Sequence, residues 1–333
     1  MRSIPKCMST QHPDNVKTPF FAESAEMAGD DEIQEAYYSF SELGCTEQMW
    51  DFEGKEVDNF VVKKLYTKYQ SYFSNNRLGN DLFLTLRVPN PSVERTEGKI
   101  LLETLESIPR SYDAAKAIFD DCPPPVHEVI LPMTESARDL DRIYCYYRDY
   151  VAGKQVKPVR PYDIKIRDWI GEFKPEKVNV IPLFEDMDRM FKAHDILMEY
   201  MIDKNVEYQR VFLARSDPAL NYGLLSAVLL NKVALMNLHR LSEDMDTEIY
   251  PIVGVGSAPF RGNLTPRTTA RVLKEYPSNH TFTVQSAFKY DNPSDEVRKA
   301  VKIIEGHTTR EPHEIELQKT VAIIEKYTSG YQK

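Results

Sequence analysis

Two carboxylates stand at matching places in successive stretches of this chain. Glu185 directly follows the apolar run 178–184, and Asp217 follows the run 210–214 after Arg215 and Ser216. Each run is too short for a lone helix and rich enough in Val, Ile, Leu and Phe to be a buried strand. A segment of helical period follows each acid: Met187, Met190, Phe191, Leu197, Met198 and Met201 in one case, and Leu220, Leu224, Leu225, Val228, Leu229 and Leu235 in the other. In sheets of parallel strands the reactive groups collect at the carboxyl ends, which in a closed β/α barrel face one mouth. Two acids there would suit a hard divalent cation such as Mg²⁺ or Mn²⁺, which takes oxygen ligands and leaves positions open for substrate. The same acids could instead cap the helices that follow, complementing their exposed amides and dipole.

Three further places carry chemistry-bearing groups. His12 precedes Pro13, which biases it toward an extended backbone, so its imidazole is stiffly held and suited to acid, base or charge-stabilising work. Arg87 ends the run 83–87 ahead of Val88-Pro-Asn-Pro91, where its guanidinium could hold a phosphate or carboxylate, or pair with one of the chain's own acids. The stretch 254–263, GVGSAPFRGN, is the glycine-rich loop that follows a strand, and Arg261 adds charge to it. It has neither the Gly-Lys-Ser/Thr ending of a Walker loop nor the GxGxxG spacing. His307 and His313 lie in a polar stretch without further ligands nearby and read as a helix-to-helix turn.

What positions these groups is an alternation. Candidate strands fall at 49–52, 82–86, 126–131, 178–184, 211–214, 249–255 and 281–284, with a weaker eighth at 4–8. Helical patterns at 57–73, 100–108 with 112–119, 137–150, 265–276 and 294–304, and after Glu185 and Asp217, separate nearly all of them. Strands alternating with helices pair in parallel through right-handed crossovers, and eight such units close a TIM-type (β/α)8 barrel, here with additional helices. The expected domains are a barrel with inserted helices over 1–290 and a helical segment over 291–333.

At 333 residues the chain is long enough for one such barrel. Its 42 Lys and Arg against 51 Asp and Glu give a net charge of -9 without a basic run, which argues against a nucleic-acid partner. No apolar stretch reads as a signal peptide or membrane span, and the four cysteines, with no CxxC pair, fit a reducing compartment. The expectation is a cytoplasmic protein that does not contact a membrane.

The strings CMSTQHPD (7–14), MWDFEGKEVD (49–58), VIPLFEDMD (180–188), FLARSDPALNYG (212–223), GVGSAPFRGNLTP (254–266) and TVQSAFKYD (283–291) closely resemble the archaeal-type phosphoenolpyruvate carboxylase family. They run in collinear order over nearly the whole chain. The resemblance implies a β/α barrel, a carboxy-terminal helical layer that begins in 291–333 and is cut short, a homotetramer, and carboxylation of phosphoenolpyruvate by bicarbonate to oxaloacetate and phosphate. It assigns Glu185 and Asp217 to the metal, His12 and Arg261 to catalysis, and Arg87, Arg261 and Gly262 to the substrate. The longer bacterial and plant enzymes carry a two-arginine loop where this chain has Phe260-Arg-Gly-Asn263, so a further anion contact must come from elsewhere. Two other readings stand beside it: another metal-enolate lyase on the same barrel, and an inactive fragment or assembly subunit.

Overall fold

Eight short strands, each buried on both faces, pair in parallel in chain order and close on themselves: β1 (Cys7–Ser9), β2 (Glu47–Asp51), β3 (Phe83–Arg87), β4 (Glu128–Leu131), β5 (Asn179–Phe184), β6 (Tyr208–Ala214), β7 (Glu248–Gly254) and β8 (Thr281–Val284). The computed structural model describes residues 3–11, 18–24, 27–53, 57–204 and 206–333. Closure is made by β1 against β8, Met8 facing Thr283. The fold is the expected (β/α)8 barrel with additional helices, the latter including Ser294–Glu305 and Leu317–Tyr331 after β8. No helix among the described residues is long and apolar enough to cross a membrane.

Side chains alternate along each strand, so one set faces the surrounding helices and the other fills the barrel. The outward set includes Trp50, Phe184, Val211, Leu213, Val253, Phe282 and Val284, all in the large core shared with the helices. The inward set packs as a separate cluster of Met8, Met49, Ile130, Ile181, Leu183, Phe212, Ala214 and Ile252. Below that cluster, at the amino ends of the strands, lies a charged layer supplied by the even strands. Arg210 of β6 donates to Glu47 of β2 from both Nη atoms at 2.7 Å, to Glu128 of β4 at 2.8 Å and to Thr281 of β8 at 3.4 Å. Thr85 donates to Glu47 at 2.5 Å and the Tyr208 hydroxyl to Glu128 at 3.2 Å. Four inward residues from alternate strands in one layer is how a barrel of this kind fills its interior.

This layer explains where the strands depart from expectation. The sequence places strands at 49–52 and 211–214, whereas β2 begins at Glu47 and β6 at Tyr208. Glu47, Gln48, Gln209 and Arg210 are polar but buried, so a hydrophobic pattern cannot find them. Likewise the break expected near Pro109 is absent, because one helix, Gly98–Lys116, runs through it. An interior proline costs about 3 kcal/mol. Burial of Leu101, Leu105, Ile108 and Ala115 along one face of that helix offsets it.

Removing one member of a buried ion cluster leaves a charge without its partner. Arg210→Met is expected to lower stability by about 3–5 kcal/mol in urea denaturation. The same substitution with Glu47→Gln and Glu128→Gln is expected to recover most of that loss. A single variant within about 1 kcal/mol of the wild type would show the network to be dispensable.

Candidate active site

The carboxyl ends of the strands surround a cavity of about 250 Å³ with a floor of Met49, Leu183, Phe212 and Thr283. Its wall carries Asp51, Arg87, Glu185, Arg215, Asp217, Arg261 and Gln285. The alternation that turns Met49 and Leu183 inward also turns in Asp51 and Glu185 two residues later.

Glu185 is largely buried. Its Oε2 accepts a 2.6 Å hydrogen bond from the backbone N–H of Met133, in the loop after β4. Burial pushes this carboxyl up to about 7, and the charge of Asp217 pushes the same way, while the Met133 amide and Arg87 oppose them. Glu185 and Asp217 both line this cavity at its rim. Met133 holds a positive φ of 49°, unusual without a glycine. Its loop is fastened by Asn90, whose Nδ2 donates to the carbonyls of Pro132 at 2.9 Å and Met133 at 3.0 Å. The rigid exit of β3 therefore holds the loop that orients Glu185.

The arginines divide into two kinds. Arg87 is spoken for: its Nε and Nη2 donate to the two oxygens of Asp51 at 2.8 and 2.6 Å, and Glu53 lies 2.8 Å from Nη2. Asp51 and Arg87 face each other directly in the β2–β3 register, which makes the pair geometrically inevitable. These acids hold the guanidinium in its charged form against the pull of burial. Arg261 donates to the Gln285 side chain at 3.1 Å. Arg215 is buried at 1% exposure, with Nη1 donating to the Phe260 carbonyl at 2.8 Å and Nε to the Tyr276 hydroxyl at 3.3 Å. Among the described residues no carboxylate lies within ion-pair distance of Arg215 or Arg261.

Two glycines let the Arg261 loop close against the barrel. A Cβ on Gly256 would sit 2.3 Å from the Gln285 Oε1 that Arg261 uses, and one on Gly262 would sit 2.8 Å from Val255, at a φ of 111°. Gly262 stands behind the loop rather than on the cavity wall. His12 lies outside the described residues. Its neighbour Gln11 is on the wall, accepting from the Asp51 amide at 2.6 Å and donating to Glu32 at 3.3 Å. Sequence reasoning passed over Arg215 as a link between strand and acid, although it is the middle of the ARSD string; a charged residue against a strand end was the available signal.

A metal fits the acids on this wall. Two neighbouring carboxylates, one mostly buried with a raised pKa, are a pair that a divalent cation would relieve. Among the described residues no group of three or more His, Cys, Asp or Glu could hold a metal.

Comparison with known proteins follows this geometry. The phosphoenolpyruvate carboxylase family model matches residues 4–333. The phosphoenolpyruvate carboxylase of Methanospirillum hungatei is 58% identical over 330 residues, spanning 99% of this chain and 68% of the relative. The corresponding protein of Methanothermobacter thermautotrophicus is 55% identical over the same shares, and that of Pyrococcus horikoshii 52% identical over 99% of this chain and 69% of its own. With that identity carried along its whole described length, the chain belongs to the phosphoenolpyruvate carboxylase family.

Proposed function

We propose that the chain carboxylates phosphoenolpyruvate with bicarbonate, yielding oxaloacetate and phosphate. The observation that carries this reading is one small cavity in which two acids, Glu185 and Asp217, share the wall with two arginines, Arg215 and Arg261, that pair with no acid among the described residues. Phosphoenolpyruvate has the complementary build: a phosphoryl group and a carboxylate for the guanidiniums, and an oxygen that becomes an enolate.

In the reaction bicarbonate attacks the phosphoryl group, giving carboxyphosphate and the enolate of pyruvate; carboxyphosphate then releases phosphate and carbon dioxide, which the enolate carbon captures. Arg261 and Arg215 hold the phosphoryl charge as it passes from one oxygen to the other, and fixed donors cost no reorganisation at that moment. Arg215 supplies the second arginine that the short loop lacks. Arg87, tied to Asp51 and Glu53, orients those acids and adds positive potential beside Glu185. A divalent cation, Mg²⁺ or Mn²⁺, held by Glu185 and Asp217 would supply the charge that stabilises the enolate oxygen. His12 assists loss of phosphate from carboxyphosphate. The apolar floor of Met49, Leu183 and Phe212 keeps water from protonating the enolate carbon.

The direct test is oxaloacetate formation, coupled to malate dehydrogenase, with phosphoenolpyruvate, bicarbonate and Mg²⁺. Oxaloacetate that does not depend on bicarbonate, or none at all from folded protein, would defeat the reading. Glu185→Gln and Asp217→Asn are each expected to weaken Mn²⁺ binding by at least about tenfold, roughly 1.4 kcal/mol, in a spectroscopic titration. His12→Asn should slow turnover while leaving that titration unchanged. For the arginines, Arg215→Gln and Arg261→Gln are each expected to lower kcat/KM by about 10²–10³-fold, the usual cost of one donor to a developing charge. Wild-type kinetics for Arg215→Gln would remove it from the anion site.

A further inference from the structure

The chemistry of the cavity makes no use of one buried cation. Lys289 lies in the helix Ser286–Tyr290 after β8, and its side chain is fully buried. An ammonium has three hydrogens to place. Those of Lys289 meet the Thr10 carbonyl at 2.7 Å, Glu35 Oε1 at 2.8 Å and Ser9 Oγ at 3.0 Å. Glu35, in the helix Asp30–Tyr38, is buried too, and its Oε1 also accepts from the Tyr290 hydroxyl at 2.9 Å. Ser9 Oγ donates in turn to Ser39 Oγ at 3.0 Å.

Dehydrating two ions costs about what their attraction returns, so stability gives little reason to keep such a pair. What the pair holds is the end of a strand. β1 is the shortest of the eight, three residues long, with Met8 and Ser9 in register with β2. Past Ser9, the Thr10 amide donates to the Val284 carbonyl of β8 at 3.2 Å. Lys289 takes the Thr10 carbonyl, so both backbone polar groups of that residue are fastened from the β8 side. Gln11 follows on the cavity wall, its Oε1 on the Asp51 amide and its Nε2 on Glu32, one turn from Glu35 in the same helix. Lys289 does not line the cavity, whereas Thr10 and Gln11 do.

We infer that Lys289 is a positioning residue for the reaction: by fixing Thr10 it sets the exit of β1, and with it the imidazole that comes next in the sequence, His12. In the carboxylase reading above, on which this rests, His12 assists loss of phosphate from carboxyphosphate. A catalytic group misplaced by about 1 Å can cost about 10²-fold in rate. With that step slowed, the enolate stands longer beside water and takes a proton, giving pyruvate, while carboxyphosphate hydrolyses to phosphate and bicarbonate. The net reaction is then phosphoenolpyruvate and water to pyruvate and phosphate, with bicarbonate returned.

The test measures phosphate, pyruvate and oxaloacetate together, for the wild type, for Lys289→Met paired with Glu35→Gln, for Glu35→Gln alone, and for His12→Asn with and without the paired change. Removing both charges leaves no buried ion without its partner. The paired change is expected to raise pyruvate formed per phosphate released by about tenfold or more, and to lower oxaloacetate turnover by about 10²-fold. KM for phosphoenolpyruvate and Mn²⁺ binding should stay at their wild-type values. Because the ratio is read per phosphate released, it does not depend on how much of a variant is folded. Glu35→Gln alone, which keeps the donor to Thr10, should keep the wild-type ratio. Added to His12→Asn, the paired change should have no further effect, since residues that act through one group are not additive. A wild-type ratio in the paired variant, an equal rise in Glu35→Gln alone, or full additivity with His12→Asn would overturn the inference and leave the carboxylase reading standing. A folded wild-type chain that makes no oxaloacetate would overturn both.

Discussion

At the end of the barrel remote from the cavity, a single guanidinium holds two carboxylates out of contact with water. Arg210 ties Glu47 and Glu128 together across the barrel, with Thr281 completing the ring. Burial pushes the Glu128 carboxyl upward, and the Arg210 charge offsets only part of that push. Such a cluster adds little net stability, because the cost of dehydrating each ion roughly cancels the attraction. Its consequence is register. Strand side chains alternate with a period of two, and a slip by one residue reverses every one of them. Holding Glu47 inward commits Met49 and Asp51 to the interior; holding Arg210 inward commits Phe212 and Ala214. The cavity wall is thus determined from the opposite end of the barrel.

The same residue type serves opposite ends according to what surrounds it. Arg210 and Arg87 each meet two carboxylates, so their charge is spent within the protein. Arg215 and Arg261 meet carbonyl, phenol and amide oxygens, which satisfy their geometry without neutralising them. A buried cation without a counter-charge is costly. Among the described residues no acid offsets that cost for the buried Arg215, and under the proposed function the arriving substrate anion does. The contrast separates structural from substrate-facing arginines better than position at a strand end does, since Arg87, Arg215 and Arg261 all qualify on position.

Much of the fold was legible because the strands are short apolar runs set between segments of helical period, and all eight were found, the weak first one included. The boundaries were not, for one physical reason: β2 and β6 begin in polar residues whose partners lie on other strands. Hydrophobicity reports burial only where burial is apolar. The site shows the same divide. Glu185, Asp217, Arg87 and Arg261 could be picked out as charges at strand ends, and the cavity brings all four together. Arg215 carried the same strand-end signal and was passed over, whereas the Asn90 to Met133 fastening and the pairing of Arg87 with Asp51 depend on contacts between strands, which one-dimensional spacing does not carry.

The loop after β4 shows how the wall holds a carboxylate where water would not leave it charged. Left alone, burial would drive Glu185 to its neutral form, and Asp217 reinforces that tendency. Against this the protein sets the charge of Arg87 and, first, the backbone amide of Met133, offered from a conformation that a non-glycine residue rarely takes. Asn90 holds that conformation by occupying the carbonyls of Pro132 and Met133. The strain is therefore met by two side-chain hydrogen bonds from the neighbouring strand's exit, before any ligand arrives. The amide fixes one oxygen of Glu185 to the wall, and the proposed function leaves the other for the cation. A carboxylate aimed in advance and incompletely neutralised has a reason to bind a divalent metal that a solvated one, free to turn and already hydrated, lacks.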